Sequence, residues 1–455
     1  MTLSVVLFNC IIFNIIKKYL LHDMLRCLAD TCTDLRQYKF EYIMILNNDV
    51  SKLYYNDNLF RQTILDYRRK MKAKYPQFRF GLNLRGLQLD CSVNNLHDIF
   101  KDVYYVDLTD AKELIDITPL KGIPIVRLTG CHQLANIGIL SHIGHKKDLS
   151  PQIINLNYVQ LDWSYITDDE YIVVQKRNYV DIDSYWYYNH YIIVNSFISL
   201  AYCHAITDFS SLKGIMYVDL RGSRQITNSD LIHFSNTKIL NLSGCYLITD
   251  VSMLSHLEAL NISNCEYCEY IMDASPLSKL STLILSGCDS ITDVSALGNV
   301  KHLDLSNCRN INDFSRLGKV KKLNLSYCSN ISNLSDLINV DDLDLSGCDI
   351  TDIPPFNSRR LNLSNCHKIT DFSKLTNVKE LLFRYCKQIT NKDVPFFVNK
   401  CFLDLAGCTN ITNVDILLDN VKVLELSYCM GITDCSPFAD DGIITLGRYY
   451  IRKLK

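Results

Sequence analysis

Hydrophobic and polar residues alternate in short stretches along most of this chain. At 302–306, for instance, leucine occupies positions 303 and 305, whereas a carboxylate occupies position 304. Alternation with a period of two is typical of a strand that buries one face. The pattern therefore predicts that Leu303 and Leu305 face a core and that Asp304 lies on the opposite face of a short strand.

These strands belong to a repeat with a period of about 20 residues. Each copy reads Leu-x-Leu-Ser-x-Cys, usually followed by a variant of Ile-Thr-Asp, and clear copies end at Cys308, Cys328 and Cys348. The Ser-x-Cys part predicts a turn. Thr292 and Asp293 are suited to cap a short helical turn. The short period leaves room for one or two turns of α- or 3₁₀-helix in each coil.

A fixed period of this length is the signature of a leucine-rich repeat. We therefore predict an α/β repeat fold, a leucine-rich-repeat solenoid with a concave parallel β-sheet and short helical turns on the convex side. Each coil needs its neighbours to bury its apolar edge. The predicted solenoid covers residues 81–435 and starts near Arg79.

The repeat is irregular at 136–200, a stretch that contains both tryptophans, Trp163 and Trp186. One interpretation is a set of degenerate coils filled by bulky side chains. The other is an inserted aromatic patch for binding, because exposed Trp and Tyr are favoured at interfaces. The sequence favours the first interpretation and leaves the second open.

The chain has 19 cysteines, and most of them recur at one position of the repeat. We predict that these residues are buried free thiols, one in each coil, and do not form disulfides. Free thiols are typical of a reducing compartment, so the expected location is cytoplasmic or nuclear. The ladder positions are Cys131, Cys203, Cys245, Cys265, Cys288, Cys308, Cys328, Cys348, Cys366, Cys386, Cys408 and Cys429.

Charge and motifs exclude several classes of function. The 47 basic and 49 acidic residues nearly balance, so no long-range field attracts nucleic acid or an acidic membrane, and neither is an expected partner. The apolar run at 3–16 is shorter than a membrane span and predicts a buried helix. No phosphate loop or hydrolase motif occurs, and the Cys-x-x-Cys at 265–268 lacks a second ligand pair. We expect no enzyme activity, no cofactor and no metal.

The outward position between the two leucines forms a ladder of Asp and Asn. It is interpreted either as a mildly acidic groove for a basic partner or as polar groups that solvate the sheet and bridge one another, and the second is favoured. Departures from the repeat indicate specificity, and Arg384 beside Tyr385, with Leu382 and Phe383, is the leading recognition patch. The candidate target-binding residues are Arg221, Asp304, Tyr327, Asp344, Leu382, Arg384, Tyr385 and Tyr428.

The first 40 residues carry a different pattern, which predicts two or three short helices with a break near 20–23. Their apolar positions resemble an F-box, the module by which substrate receptors bind a Skp-type adaptor in cullin ubiquitin ligases. The residues at the matching apolar positions, and hence the candidate adaptor-binding residues, are Phe8, Ile12, Phe13, Ile16, Leu20, Leu25, Leu28 and Cys32.

The resemblance extends to the rest of the chain, because cysteine-containing leucine-rich repeats commonly follow an F-box. It implies an F-box-like segment at 1–40, a linking helical region at 41–80, the solenoid, and a C-terminal cap or tail at 436–455. It also implies a substrate-recognition subunit of an SCF-type cullin ubiquitin ligase, whose repeats bind an unidentified protein target. The alternative is a repeat scaffold with a helical N-terminal cap and no role in ubiquitin transfer.

Overall fold

A computed structural model describes residues 43–46, 48–74, 79–87, 99–123, 125–145, 152–155, 191–194 and 197–432, with short gaps at 264–270, 272, 330, 332 and 419. The predicted adaptor-binding residues and the C-terminal tail lie outside these ranges. The chain divides into two compact units. The first unit runs to Gln225 and includes His233–Thr237, and the second comprises Ile226–Ile232 and the residues from Lys238 onward.

In the first unit, six parallel strands form one sheet in the order β1-β2-β3-β4-β7-β8. Two α-helices connect β1 to β2, so the region predicted as a linker at 41–80 also contributes the first strand. A separate antiparallel pair, β5 and β6, lies within the irregular stretch. The strands are β1 (Ile43–Leu46), β2 (Arg79–Asn83), β3 (Tyr105–Asp107), β4 (Ile125–Arg127), β5 (Gln152–Asn155), β6 (Tyr191–Val194), β7 (Phe197–Ser199) and β8 (Tyr217–Asp219). The helices are α1 (Asn48–Asn56) and α2 (Asn58–Lys74), with 3₁₀ turns at Thr118–Leu120, Gly138–His145 and Ser210–Leu212.

In the second unit, ten parallel strands pair in chain order. They are β9 (Ile239–Asn241), β10 (Ala259–Asn261), β11 (Thr282–Ile284), β12 (His302–Asp304), β13 (Lys322–Asn324), β14 (Asp342–Asp344), β15 (Arg360–Asn362), β16 (Glu380–Leu382), β17 (Phe402–Asp404) and β18 (Leu424–Glu425). The connections contain 3₁₀ helices at Ser252–Leu254, Ser275–Leu277, Ser295–Asn299, Ser315–Lys319, Ser335–Leu337, Ser373–Leu375 and Val394–Phe397, and a short α-helix, α3 (Asp415–Leu418). A further 3₁₀ helix, Asn228–Phe234, contains a boundary between the units.

The predicted arrangement of strand, turn and short helix within a coil is confirmed, as is the burial of its leucines. Leu303, Leu305 and Cys308 are fully buried, and β12 ends at Asp304. The Asp293 Oδ1 atom accepts a hydrogen bond from the Ser295 backbone N–H at 2.8 Å, which starts the 3₁₀ turn. In other coils, the Oδ1 atoms of four further aspartates accept the equivalent hydrogen bond from a serine backbone N–H. These are Asp250, Asp273, Asp313 and Asp371. The fold is therefore that of a leucine-rich repeat, built from strand, turn and 3₁₀ helix.

Neighbouring strands pair without a shift in register. Leu303 lies opposite Leu283 on one side and Leu323 on the other. Equivalent positions of the repeat consequently line up in columns, with strands about 4.8 Å apart. A residue that departs from the repeat is therefore displayed at a defined place in its column.

The cysteine ladder is buried and free of disulfides at every ladder position that the structure describes, which leaves out only Cys265. Each thiol lies under the preceding coil: Cys308 Sγ donates to the Leu285 carbonyl at 3.1 Å, and Cys328 Sγ to that of Leu305 at 3.2 Å. Burial raises the pKa of Cys328 to about 12. The ladder therefore joins successive coils and stays protonated.

Helices α1 and α2 cover the first strands of the first unit. Tyr54 is fully buried, and its hydroxyl donates to the Ile99 carbonyl at 3.2 Å. The Arg68 guanidinium carbon lies 4.4 Å from the centre of the Phe80 ring. These contacts attach α1 to the segment around Ile99 and α2 to Phe80 on β2.

Candidate binding surface

In the second unit, each described turn between a strand and its ladder cysteine holds one residue in the left-handed backbone conformation, directly before the cysteine. In the second unit its φ lies between 58° and 73°. Glycine and asparagine adopt this conformation readily, whereas it is uncommon for a bulky residue such as tyrosine. The residues at this position are Gly244, Gly287, Asn307, Tyr327, Gly347, Asn365, Tyr385, Gly407 and Tyr428.

Each tyrosine at this position whose next coil is described lies over a glycine of that coil. A Cβ atom on Gly407 would come within 2.5 Å of the Tyr385 ring, and a Cβ on Gly347 would collide with the Tyr327 ring in the same way. The glycine therefore serves two needs at once, a positive φ and space for the ring. If another residue replaced the glycine, its Cβ would push the tyrosine ring away from the next coil.

The rings remain accessible on their other side. Tyr327, Tyr385 and Tyr428 are 53%, 48% and 47% exposed, and Met430 beside them in sequence is 77% exposed. We call Tyr327, Tyr385 and Tyr428 the tyrosine row. The backbone N–H groups of Tyr327 and Tyr385 are hydrogen-bonded to the next coil, and all three side chains keep about half of their surface available, as expected of residues that anchor a partner.

The Asp and Asn side chains in the column between the two leucines are different, because their hydrogen bonds are made to other groups of this chain. Asp304 Oδ1 accepts from the Ser306 backbone N–H at 2.8 Å, and Asn324 Nδ2 donates to Asp304 Oδ2 at 3.1 Å. Asp344 is bonded in the same manner and is only 2% exposed, and Leu382 is 1% exposed. Burial also raises the pKa of Asp304 above that of an ordinary carboxyl. These side chains offer a partner little accessible surface.

The two arginines that interrupt the serine column form internal ion pairs. Arg384 Nε lies 2.7 Å from Asp404 Oδ2, and Arg221, in the first unit, lies 3.2 Å from Asp219. Asp404 is fully buried, and although burial raises its pKa, the neighbouring Arg384 opposes that rise. Arg384 therefore compensates a buried carboxylate, and its side chain is only 14% exposed.

A cluster of alternating charges occupies the position before the first leucine in four successive coils of the second unit. It consists of Lys322, Asp342, Arg360 and Glu380, with Arg359 beside it. Arg359 Nη1 lies 2.6 Å from Glu380 Oε1, and Lys322 Nζ lies 3.9 Å from Asp342 Oδ2. Burial raises the pKa of Asp342, and the nearby arginines and lysine offset only part of that rise.

Sequence reasoning missed this charged cluster because it followed the column between the leucines. The sequence does contain a signal for it, because the charge of the residue directly before the first leucine alternates in sign from coil to coil. Because each charge has an opposite neighbour, the cluster links adjacent strands and leaves little net charge for a partner.

The described part of the chain has neither a metal-ligand cluster nor a membrane-spanning helix. It contains no group of three or more His, Cys, Asp or Glu side chains placed to hold a metal ion. Nor does any helix within the described ranges have the length and apolar character needed to cross a membrane.

The eight candidate target-binding residues therefore differ in their accessibility to a partner. The tyrosine row is accessible in the second unit. Asp304 and Arg384 are largely covered there, Asp344 and Leu382 are buried, and Arg221 is buried in the first unit. A binding role for any of the eight stays a prediction, and the tyrosine row has the surface that such a role requires.

Several solved structures are similar to this chain. A leucine-rich-repeat protein of Leptospira interrogans matches with a TM-score of 0.47 and 16% identity over 77% of this chain and 81% of its own. The functional domain of the internalin InlJ of Listeria monocytogenes, which includes a cysteine ladder, matches with a TM-score of 0.39 and 13% identity over 76% and 68%. These likenesses concern the fold. No protein-family model and no curated protein matches the sequence.

Proposed function

We propose that this chain is a protein-binding scaffold and acts as the substrate-recognition subunit of an SCF-type cullin ubiquitin ligase. The observation that carries the binding role is the tyrosine row, three half-exposed aromatic side chains that occupy the same position in three coils of the second unit. Tyr is among the residues that contribute most to protein interfaces. The repeats would hold a protein target through this row.

The ligase role is supported by the F-box resemblance of the first 40 residues. In this proposal the apolar side chains from Phe8 to Cys32 dock a Skp-type adaptor, which connects the chain to a cullin. Other subunits transfer ubiquitin, and this chain catalyses nothing itself. We place the protein in the cytosol or nucleus, because ladder thiols such as Cys308 and Cys328 are free, and both compartments keep thiols reduced.

The test is binding to a purified Skp-type adaptor. Full-length protein should retain the adaptor on an affinity column, whereas deletion of residues 1–40 or the substitution Ile12→Asp should abolish retention. Leu59→Asp is the matched control, because Leu59 is apolar, 65% exposed on α2 and outside the F-box-like segment. Failure of the full-length protein to bind any adaptor at micromolar concentration would exclude the ligase role.

A second candidate is a scaffold with no role in ubiquitin transfer. It is favoured by the way α1 and α2 cover the core of the first unit through Tyr54 and Arg68. If residues 1–40 extend that cover, their deletion should lower the melting temperature or the solubility. A deletion variant that keeps its stability but loses the adaptor would support the ligase role instead.

A further inference from the structure

We propose that Tyr385 and Tyr428 bind a proline-rich segment of the partner in the extended polyproline II conformation. This inference rests on the proposed binding function, since it names the type of segment that two members of the tyrosine row accept, whereas Tyr327 would contact a different part of the target.

The form of the aromatic surface suits an extended, ring-rich segment. The Tyr385 ring packs against Gly407 of the next coil and remains 48% exposed, and Tyr428 is 47% exposed. Within the described residues, no group hydrogen-bonds to the hydroxyl of Tyr385 or Tyr428. Each tyrosine thus presents a flat apolar face with a polar tip. A polyproline II segment matches this surface, because its rings need aromatic faces and its backbone carbonyls have no internal partners.

The spacing of the two tyrosines also matches a polyproline II segment. Tyr385 and Tyr428 lie two coils apart, and because strands are about 4.8 Å apart, this separation is about 9.6 Å. A polyproline II helix has three residues in each turn and rises about 3.1 Å per residue, so equivalent residues recur every 9.3 Å or so. Residues i and i+3 of the segment therefore coincide with the two rings.

The surface between Tyr385 and Tyr428 is also free of large protruding side chains. The intervening coil has Ala406 and Gly407 in its turn, so no large side chain stands there. Arg384 is neutralised by Asp404 at 2.7 Å. Met430, at 77% exposure, extends the apolar surface beyond Tyr428.

Tyr327 does not belong to this pair. It lies three coils before Tyr385, about 14 Å away by strand spacing, which does not match a whole number of polyproline turns. It has the same backbone conformation, exposure and glycine neighbour as Tyr385. It is therefore a matched control within the same protein.

The experiment measures fluorescence anisotropy of labelled decaproline with the full-length protein, and of a Gly-Ser peptide of equal length. We expect saturable binding of decaproline only. Tyr385→Ala and Tyr428→Ala should each weaken it at least tenfold or so, as expected of central aromatic anchors. Tyr327→Ala should leave affinity within about twofold. Thermal melts confirm that each variant is folded, and Tyr385→Phe tests the hydroxyl separately.

The inference is overturned if folded wild-type protein does not bind decaproline, or if binding survives in both Tyr385→Ala and Tyr428→Ala. Adaptor binding distinguishes this failure from failure of the ligase role. A protein that binds the adaptor but not decaproline contradicts only the polyproline inference. One that binds decaproline through Tyr385 but binds no adaptor contradicts only the ligase role.

Discussion

Lys400 is the residue that departs most sharply from the chemistry of its column. The equivalent position in other coils holds apolar residues such as Val300 and Val340, yet Lys400 is only 2% exposed. Its Nζ donates to the Leu375 carbonyl at 2.9 Å and to that of Thr376 at 2.8 Å. Burial lowers its pKa from 10.5 to about 8. The Lys400 amine thus hydrogen-bonds to the end of the preceding 3₁₀ helix, and in return it loses its contact with water.

Replacing Lys400 with methionine should stabilise the protein at neutral pH. Because the folded pKa lies below the unfolded one, the penalty is fully present below pH 8 and disappears as pH rises from 8 to 10.5. A shift of this size corresponds to about 3 kcal/mol, an upper limit because the substitution also removes two hydrogen bonds. Urea unfolding of Lys400→Met should give a gain of about 1–3 kcal/mol at pH 7 that shrinks above pH 8.

Lys379→Met is the control for this measurement, because Lys379 is exposed in the neighbouring coil. It should change the free energy of unfolding by less than about 0.5 kcal/mol at either pH. A loss of stability in Lys400→Met at pH 7 would mean that the two carbonyl bonds outweigh the burial of the charge.

At the scale of elements, the contact between successive coils couples their sequences. A left-handed tyrosine needs a glycine in the following coil, as Tyr327 does with Gly347. The first unit has the same arrangement, with Tyr202 over Gly222. Such a contact is absent from any single coil, since it joins residues one full period apart.

Gly347→Ala should destabilise the protein by about 1–3 kcal/mol, because the new Cβ meets the Tyr327 ring and φ is +69°. In a Tyr327→Ala background the collision is absent and only the backbone strain remains. The double-mutant cycle from urea unfolding should therefore show a coupling of at least about 0.5 kcal/mol. Equal effects of Gly347→Ala in both backgrounds would show that the ring moves aside freely.

At the scale of the molecule, each unit contains a row of buried ladder thiols. Their reaction with an alkylating reagent measures how readily the coils open. Cys308, Cys348 and their equivalents are no more than 3% exposed, whereas Cys401 is partly exposed. Burial raises the pKa of Cys366 and Cys386 to about 12, so their reactive thiolate is scarce.

Native alkylation with iodoacetamide at pH 8 should therefore modify Cys401 at least tenfold or so faster than the described ladder cysteines. Peptide mass spectrometry reads each site separately. In concentrated urea all twelve described cysteines should react at comparable rates, which is the control. Fast native labelling of Cys308 or Cys328 would mean that the coils open readily.

Much of the coil was predictable from residues alone. Leu303 and Leu305 lie in the core because period-two alternation leaves only one way to bury both, and Cys308 is buried because the repeat places it at the inner end of the turn. The accessibility of the candidate site was not predictable in the same way. Asp344 looks like an outward carboxylate in sequence, yet Asn362, on the next strand, covers and bonds it.

The sequence by itself determined the repeat, the strand positions, the turn with its capping aspartate and the place of the thiols, because each depends on residues within one coil. Only the tertiary structure decided which polar groups are paired, which tyrosines remain open and that Lys400 is buried. Those properties depend on parallel strands that bring residues about 20 positions apart into contact. The resulting juxtaposition of Tyr385, Gly407 and Tyr428 exists only when the coils are stacked.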